Sequence, residues 1–329
     1  MFKRIFGRGT PVPPLDTDMA QDDLDVRAAR QKALAGDWTA ARDVVHAARG
    51  DWELWGRRIS VLSTVASQGS WLADWTAAAP DDQVAAVITA NLLLDQAGEV
   101  RGAASAKHTS REQFAGFDYF SERAAEAARR AVELGPDDPS PWAAAANACF
   151  ARGRGLRDEF QHACDEGLER DPANFDLWLT ALSFYCEKWY GSHHEMFAIA
   201  RAAGSEAPAG STVPMLVHLA HFEYAMREFG WDKRSDASRE ACGAYFRQPE
   251  VQRELDAAVA KWRSGGPRPL GRSMTCRHWE TLGYVLGGRK ADARRVLDEI
   301  GPYLGSVPAW GYFWLRQAEG YEAAWKWAG

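Results

Sequence analysis

Four histidines are the most obvious candidates for chemistry in this sequence. His193 and His194 are adjacent, and His218 and His221 are three residues apart, so the second pair would share one face of a helix. Imidazole nitrogens are common zinc ligands, and three or four of them meeting at one point would form a metal site. The alternative is structural, because the internal repeat of this chain places His218 and His221 on positions that face neighbouring helices. In that case both are buried without a charge partner, which lowers their pKa values.

The residues around the first histidine pair favour the structural interpretation. Ser192 and Glu195 have the spacing of a capping box, in which each side chain accepts a hydrogen bond from the other residue's backbone amide. A helix that begins there explains the polar cluster without any ligand. We therefore predict no metal and no cofactor.

Nucleophilic catalysis is not indicated by any motif. The sequence contains no glycine-flanked serine or cysteine elbow, no phosphate-binding glycine loop and no zincin histidine pair. The acidic pairs Asp81-Asp82 and Asp137-Asp138 each follow a proline at a predicted helix start, where a carboxylate caps the helix and complements its dipole. We predict no catalytic residue, and a binding protein rather than an enzyme.

Charge and hydropathy limit the partners. The net charge of −6 provides no attraction for a polyanion, so the basic stretch Lys261–Arg277 is better interpreted as a solvated connector than as a nucleic-acid site. Gly7 and the prolines at 11–14 follow the basic start where a signal peptide needs an apolar segment, so no signal peptide is expected. No later run reaches the roughly 18 apolar residues of a membrane span, so stable membrane insertion is not expected either. The five cysteines are odd in number and widely spaced, as expected for reduced core thiols. We expect a cytoplasmic location.

The elements that would position these residues are helices arranged as a repeat. Pro136, Pro172 and Pro208 recur at 36-residue intervals, each at the end of a helical stretch. Six residues after each proline stand Trp142, Trp178 and Pro214. A tetratricopeptide repeat has this pattern of helix, turn, helix and closing proline at a period of about 34 residues. The sequence therefore predicts an all-α, tetratricopeptide-like solenoid of helical hairpins, with both tryptophans in its core.

The same template divides the chain. Gly36 followed by Trp38, and Gly288 near the other end, fit the turn between the two helices of a hairpin, which suggests roughly six hairpins in all. Residues 101–112 are polar and predict a loop. The predicted segments are a flexible arm (1–15), N-terminal hairpins (16–100), central repeats (113–230), charged helices with a Gly/Pro connector (231–272), and a C-terminal helical pair with an aromatic capping helix (273–329).

One stretch resembles a known family. Residues Lys188–Ala198, KWYGSHHEMFA, are similar to the KWxGSHxEMF motif of uncharacterised bacterial tetratricopeptide-like proteins, including an actinobacterial group, although Tyr190 and His194 depart from it. Leu286–Arg289, Ile300–Pro302 and Pro308–Tyr312 resemble that family's closing helices. The resemblance covers about residues 130–329. It implies a helical-repeat fold and a bacterial source, and it implies no activity.

A solenoid of hairpins lines its concave surface with the first helix of each repeat, so that surface is the expected binding groove. The repeat alignment places these side chains there: Asn147, Phe150, Asp176, Leu179, Ser183, Glu187, Met215, Leu219, Phe222 and Glu223. They are apolar or acidic and include no Lys or Arg, so capture of acidic C-terminal tails is not expected. We predict a non-enzymatic module that holds a peptide segment of another protein, without predicting its oligomeric state.

Two alternatives remain open. The first is a small-molecule sensor with an apolar pocket between the central array and the C-terminal helices, lined by Trp189, Trp231 or the histidines. The second is a metalloprotein or enzyme of an unrecognised type, in which His193 or His194 would join His218 and His221. A pocket would distinguish the sensor, and metal analysis would distinguish the metalloprotein.

Overall fold

The chain is helical throughout the part that a computed structural model describes, namely residues 11–102, 110–230, 235–266 and 270–329. Within those ranges there are 17 α-helices and no strand, which confirms the predicted all-α class. None of these helices combines the length and the apolar character that a membrane crossing requires. The helices are α1 (Leu24–Leu34), α2 (Trp38–His46), α3 (Trp52–Ser63), α4 (Trp71–Ala78), α5 (Gln83–Arg101), α6 (Arg111–Leu134), α7 (Pro139–Arg152), α8 (Arg157–Arg170), α9 (Phe175–Phe184), α10 (His193–Glu206), α11 (Leu216–Ala225), α12 (Asp236–Phe246), α13 (Pro249–Arg263), α14 (Ser273–Leu286), α15 (Lys290–Ile300), α16 (Ala309–Phe313) and α17 (Gln317–Ala328).

The helices form two compact units. Unit 2 is Asp23–Ile199, and unit 1 joins the segment that ends at Asp22 to Ala200–Gly329. The second boundary falls within α10 and inside the predicted central segment 113–230. Unit 1 is therefore built from both ends of the described chain, with unit 2 inserted between them.

Unit 2 is organised by polar residues that cap every second helix. Asp23, Asp51, Asp82, Asp138 and Asn174 each accept a hydrogen bond from a backbone amide in the first turn, at 2.7–3.1 Å. Such a side chain satisfies an amide that has no partner inside the helix. The predicted capping by Asp82 and Asp138 is confirmed. We call the five helices that begin there the first helices: α1, α3, α5, α7 and α9.

Small residues allow the helices of unit 2 to pack closely. Each first helix packs against the next one, and α1/α2, α5/α6 and α7/α8 form hairpins. Gly36, with φ of +99°, makes the predicted turn between α1 and α2, because a left-handed backbone favours glycine. The α5/α6 contact buries alanines almost completely, and these are Ala90, Ala97, Ala124, Ala128 and Ala131. These helices therefore combine alanines where two helices touch with a polar side chain that caps the helix start.

The predicted core positions of Trp142 and Trp178 are wrong. Both indoles are only half-buried. Each donates its Nε1 hydrogen to the carbonyl of the proline six residues earlier, Trp142 to Pro136 at 3.0 Å and Trp178 to Pro172 at 2.9 Å. The two indoles thus make equivalent contacts with the turn that precedes each helix. Trp142 packs on the edge of a core cluster and is not inside it.

The predicted loop at 101–112 is shorter than expected. Helix α5 continues to Arg101, and α6 begins at Arg111 with a complete capping box between Ser110 and Gln113. Residues 103–109 lie outside the described part of the chain.

Unit 1 surrounds one buried helix. Residues Leu216–Glu223 of α11 are all buried, and α13, α14 and α16 pack on that helix. A hairpin of α14 and α15 turns at Gly288, as predicted. A π-helical turn, Met226–Gly230, follows α11 directly.

The start of the described chain is hydrogen-bonded to the C-terminal part of unit 1. The backbone of Asp16 bonds to Pro302 and Gly305, at 2.8 and 3.0 Å. Residues 1–10 of the predicted arm lie outside the described residues.

The predicted aromatic capping helix is two helices, because Trp314 has an extended backbone that separates α16 from α17.

The middle segment 231–272 contains two helices, α12 and α13. Residues 231–234 and 267–269, including Trp231 and half of the predicted Gly/Pro connector, are outside the described ranges. Four cysteines are buried and Cys149 is half-buried, and all five are free thiols, as predicted.

Candidate functional site

An exposed aromatic cluster of unit 2 lies where α7 and α9 end. Phe150, in the last turn of α7, makes edge-to-face contacts with Trp189 and Tyr190, with ring centroids 5.3 and 5.8 Å away. Phe150 and Tyr190 are half-buried, whereas Trp189 is 45% exposed. We call these three residues the aromatic edge. It offers a large flat apolar surface to solvent, held in place from behind.

The turn after α9 explains why Trp189 is exposed. The amides of Tyr190 and Ser192 donate to the carbonyls of Phe184 and Tyr185, both at 3.1 Å, so the chain folds back on the end of α9. A Cβ on Gly191 would lie 2.1 Å from the Tyr185 carbonyl oxygen. Only glycine permits this close approach. The turn buries Tyr185 and directs Trp189 outwards.

A rigid aromatic layer supports the edge. Phe184 stacks on Phe160 with centroids 3.9 Å apart, and Phe150 contacts Phe184 at 5.7 Å. The Tyr190 hydroxyl donates to the Phe150 carbonyl at 3.3 Å. Burial raises the pKa of Tyr190, so its hydroxyl keeps the proton that it donates.

Three arginines lie on the segments next to the aromatic edge. Arg101 is close enough to Tyr190 to influence its ionisation. Arg152 and Arg154 flank Gly153, whose Cβ would lie 3.8 Å from the Tyr190 hydroxyl. The sequence interpretation missed these cations because it counted only positions on the faces of first helices. A usable signal was present, since Arg101 and Arg152 are the last residues of the consecutive first helices α5 and α7.

A fourth arginine is already paired. Arg157 binds Glu195 at 3.0 Å and lies over the Tyr185 ring at 4.6 Å. These contacts lower the pKa of Glu195, mainly through the hydrogen bond from Arg157. Only one of the two bonds of the predicted capping box is present. The Glu195 amide donates to Ser192 Oγ at 3.2 Å. The Glu195 carboxylate accepts from the Ser192 hydroxyl at 2.9 Å, and not from the Ser192 amide.

The first pair of histidines lies next to this turn. His193 Nε2 is 2.8 Å from Glu187 Oε2, and His194 is exposed. Glu187, a predicted groove residue, therefore has its carboxylate against an imidazole.

The predicted groove residues of unit 2 are accessible to different degrees. Asn147, Phe150, Asp176, Leu179 and Ser183 are half-buried, and Glu187 is exposed. Asn147 accepts a hydrogen bond from Thr180 at 3.2 Å, which joins α7 to α9. Asp176 lies against α3, where a Cβ on Gly56 would be 2.9 Å from its carboxylate. Of this set, Phe150 is part of the aromatic edge.

The predicted groove residues of unit 1 are buried. Met215 and Phe222 are completely buried, and Leu219 and Glu223 are 7% and 8% exposed. The physical reason is that the sequence LVHLAHFEYA is apolar on all sides, so α11 is an interior helix without a solvent face. These four side chains are structural parts of unit 1 and do not form an accessible surface.

His218 and His221 are both buried in unit 1, as predicted, but their surroundings differ. His218 Nδ1 has no hydrogen-bond partner among the described residues, and burial lowers the pKa of His218 to about 3. His221 has a charge partner, which the prediction did not include: Nε2 lies 3.1 Å from Glu254 Oε2, and Nδ1 lies 2.6 Å from the Tyr245 hydroxyl. Because a carboxylate only accepts, Nε2 carries the proton and Tyr245 donates to Nδ1.

The Glu254 carboxylate completes a chain of polar contacts. Arg201 binds both of its oxygens, at 2.6 and 3.0 Å. The hydrogen bonds from His221 and Arg201 lower the pKa of Glu254 to about 2. Burial raises the pKa of Tyr245, so the phenol stays protonated and serves as a donor. The arrangement is a satisfied network that fastens α13 and α12 to the central helix.

A third buried histidine was not singled out from the sequence. His278 Nε2 donates to the Tyr303 carbonyl at 2.8 Å, and Trp310 Nε1 donates to His278 Nδ1 at 3.0 Å. Burial lowers the pKa of His278 to about 4. Both ring nitrogens are therefore used to hold α14, α16 and the 301–305 turn together.

No protein-family model, no curated protein and no solved structure matches this chain.

Proposed function

We propose that unit 2 is a tetratricopeptide-like solenoid whose function is to bind a peptide segment of another protein. The repeat is supported by the capped first helices, each packed on the next, and by the equivalent bonds from Trp142 to Pro136 and from Trp178 to Pro172. Membership of the KWxGSHxEMF family is part of the same proposal and rests on Lys188–Ala198.

The observation that carries the binding function is the exposure of Trp189. Trp189 is 45% exposed, and its contacts with Phe150 and Tyr190 make it part of a cluster of rings, the kind of exposed apolar surface that marks interaction sites. Trp and Tyr dominate the binding energy of protein interfaces because they bury a large area at a low cost in side-chain entropy. Phe150 and Tyr190 fix the ring, so a partner would meet a preorganised surface.

The proposed activity is binding through the aromatic edge. An extended or helical segment with an apolar residue could cover Trp189 and Phe150 and exclude water from both. Leu179 and Ser183, one turn apart on α9, are the next accessible positions towards the start of that helix.

Selection from a random peptide display library with the purified chain tests this function. We expect enriched peptides that share an apolar position, and synthetic versions that bind about 30-fold more weakly to Trp189→Ala, as for a hot-spot residue. Trp327→Ala is the matched control, since Trp327 is 38% exposed in unit 1 and should not affect binding. Failure to enrich any peptide, or equal binding by Trp189→Ala, would refute the proposal.

A further inference from the structure

We infer that the partner segment of the aromatic edge is acidic, with an apolar anchor residue flanked by Asp or Glu. This inference rests on the proposed function and adds the chemical class of the partner. It reverses the sequence-based expectation that acidic C-terminal tails are not captured. That expectation considered only the faces of the first helices, whereas these arginines come from the ends of helices and from a loop.

Three cationic residues lie on the segments next to the Tyr190 ring. Arg101 ends α5 and acts on Tyr190, while Arg152 and Arg154 flank the glycine beside the Tyr190 hydroxyl. These long side chains could reach acidic residues on either side of an apolar residue seated on Trp189. Arginine binds carboxylates through paired, parallel hydrogen bonds, which suits a segment with acidic residues next to its anchor.

None of these three arginines forms an ion pair with another residue in the described part of the chain. Arg157 is the one that binds the nearby Glu195, and Arg154 acts on that carboxylate only from a greater distance. Asp158 and Glu159 are close in sequence, but both lie in the first turn of α8, where they complement its dipole. Arg152 and Arg154 are exposed, so their charges are available to a partner.

The charge of the whole chain strengthens the argument. At a net charge of −6, most of the surface repels an acidic segment, and a local group of cations beside an aromatic anchor restricts such a segment to this edge. The same net charge disfavours a nucleic acid, whose affinity depends on a broad basic surface. An acidic peptide is therefore the partner that fits both the edge and the rest of the molecule.

The test compares charge variants at equal folding. Peptides selected by the full chain should carry a net negative charge around an apolar residue. The double variant Arg152→Glu/Arg154→Glu should weaken binding of a synthetic selected peptide about tenfold or more. The control Arg49→Glu/Arg129→Glu makes the same charge change on exposed residues of unit 2 and should leave binding nearly unchanged. Affinity should also fall as salt rises from about 0.05 to 0.3 M.

The outcomes separate this inference from the proposed function. Enriched peptides that need Trp189 but show no acidic bias, and that bind the Arg152→Glu/Arg154→Glu variant normally, would overturn the acidic partner and leave peptide binding intact. Equal weakening by the two double variants would also overturn it, because the effect would then reflect net charge alone. No enrichment at all, or binding of a single-stranded oligonucleotide in preference to every peptide, would overturn both.

Discussion

The two units bury different titratable groups. In unit 2, Asp138 is buried at a helix start, where a backbone amide satisfies it, and Asp23 pairs with the buried Arg58 at 2.9 Å. In unit 1, histidines such as His218 and His278 are buried within helices, whereas no described histidine of unit 2 is buried. An imidazole inside a helix finds the nearby backbone already bonded, so it needs a partner from another element.

The difference also sets opposite responses to acid. Burial raises the pKa of Asp138 in unit 2, but it lowers the pKa of His218 and His278 in unit 1. A carboxyl with a raised pKa takes up its proton more readily in the folded state, so acid favours folding there. A histidine with a lowered pKa takes up its proton more readily after unfolding, so acid favours unfolding. The comparison predicts which unit fails first as pH falls.

The largest expected effect is the acid lability of unit 1. The stability that neutral His218 and His278 contribute is complete above their unfolded pKa of about 6.5 and is lost as pH falls towards their folded values of about 3 and 4. By pH 4.5 the two groups together should remove about 3 to 5 kcal/mol. Hydrogen exchange measured by mass spectrometry should show protection falling in α11 and α14 while α5 and α6 stay protected.

The control for this experiment is an exposed histidine. His162 in unit 2 has a side chain 67% exposed, and His162→Gln should leave the pH profile of both units unchanged. Loss of protection in unit 2 before unit 1, or at the same pH, would contradict the comparison.

A second experiment concerns the tryptophans of unit 2. Trp75 is completely buried, so Trp75→Ala should cost about 3 to 5 kcal/mol. Trp142 is half-buried, with Arg170 over its ring at 4.9 Å, so Trp142→Ala should cost only about 1 to 2 kcal/mol. Urea unfolding, followed by hydrogen exchange in unit 2, measures both. Equal losses of stability in the two variants would show that Trp142 is a core residue.

The all-α class and the helix starts could be predicted because their signals are local. Asp82 and Asp138 cap helices through amides two residues away, and Gly36 forms a turn with its own neighbours. Such contacts depend on residues that are close in the sequence. The equivalence of Trp142 and Trp178 is visible in the sequence for the same reason, since each indole bonds to the proline six residues before it.

The candidate site could not be predicted because its parts come from distant positions. Arg101 and Tyr190 are far apart in the sequence and become neighbours only when α5, α7 and α9 pack. The prediction that the groove continues beyond Pro208 was wrong for a related reason. Residues Leu216–Ala225 belong to unit 1, where the helix is enclosed on all sides. A 36-residue spacing identifies a helix end, but it does not identify the packing around the next helix.

A smaller effect is expected where helices of unit 2 touch. A Cβ on Gly167 in α8 would lie 2.5 Å from Leu177 Cδ1 and 3.1 Å from Trp142 Cβ. Gly167→Ala should therefore cost about 1 to 3 kcal/mol through overpacking, although alanine favours a helix by about 1 kcal/mol. Gly155→Ala is the control, because a Cβ there meets open space. Stabilisation by Gly167→Ala would show that α8 is free to move away from α9, and that the close packing assigned to unit 2 does not constrain it.

The smallest expected effect is at His218, and it divides the buried histidines of unit 1 into two kinds. His218→Leu removes an imidazole whose Nδ1 has no hydrogen-bond partner among the described residues. The free energy of unfolding at pH 7 should therefore rise slightly, by less than about 1 kcal/mol. His278→Leu is the matched comparison and should cost about 2 to 3 kcal/mol, because the Trp310 indole and the Tyr303 carbonyl lose their partners inside the unit. His218→Leu should also reduce the acid lability of unit 1, since one of its two acid-sensitive groups is gone. Hydrogen exchange at pH 7 and pH 4.5 measures both effects in the same samples. A large loss of stability in His218→Leu at pH 7 would mean that the imidazole is needed for its nitrogens, and His218 would then be the residue at which to look for a ligand inside unit 1.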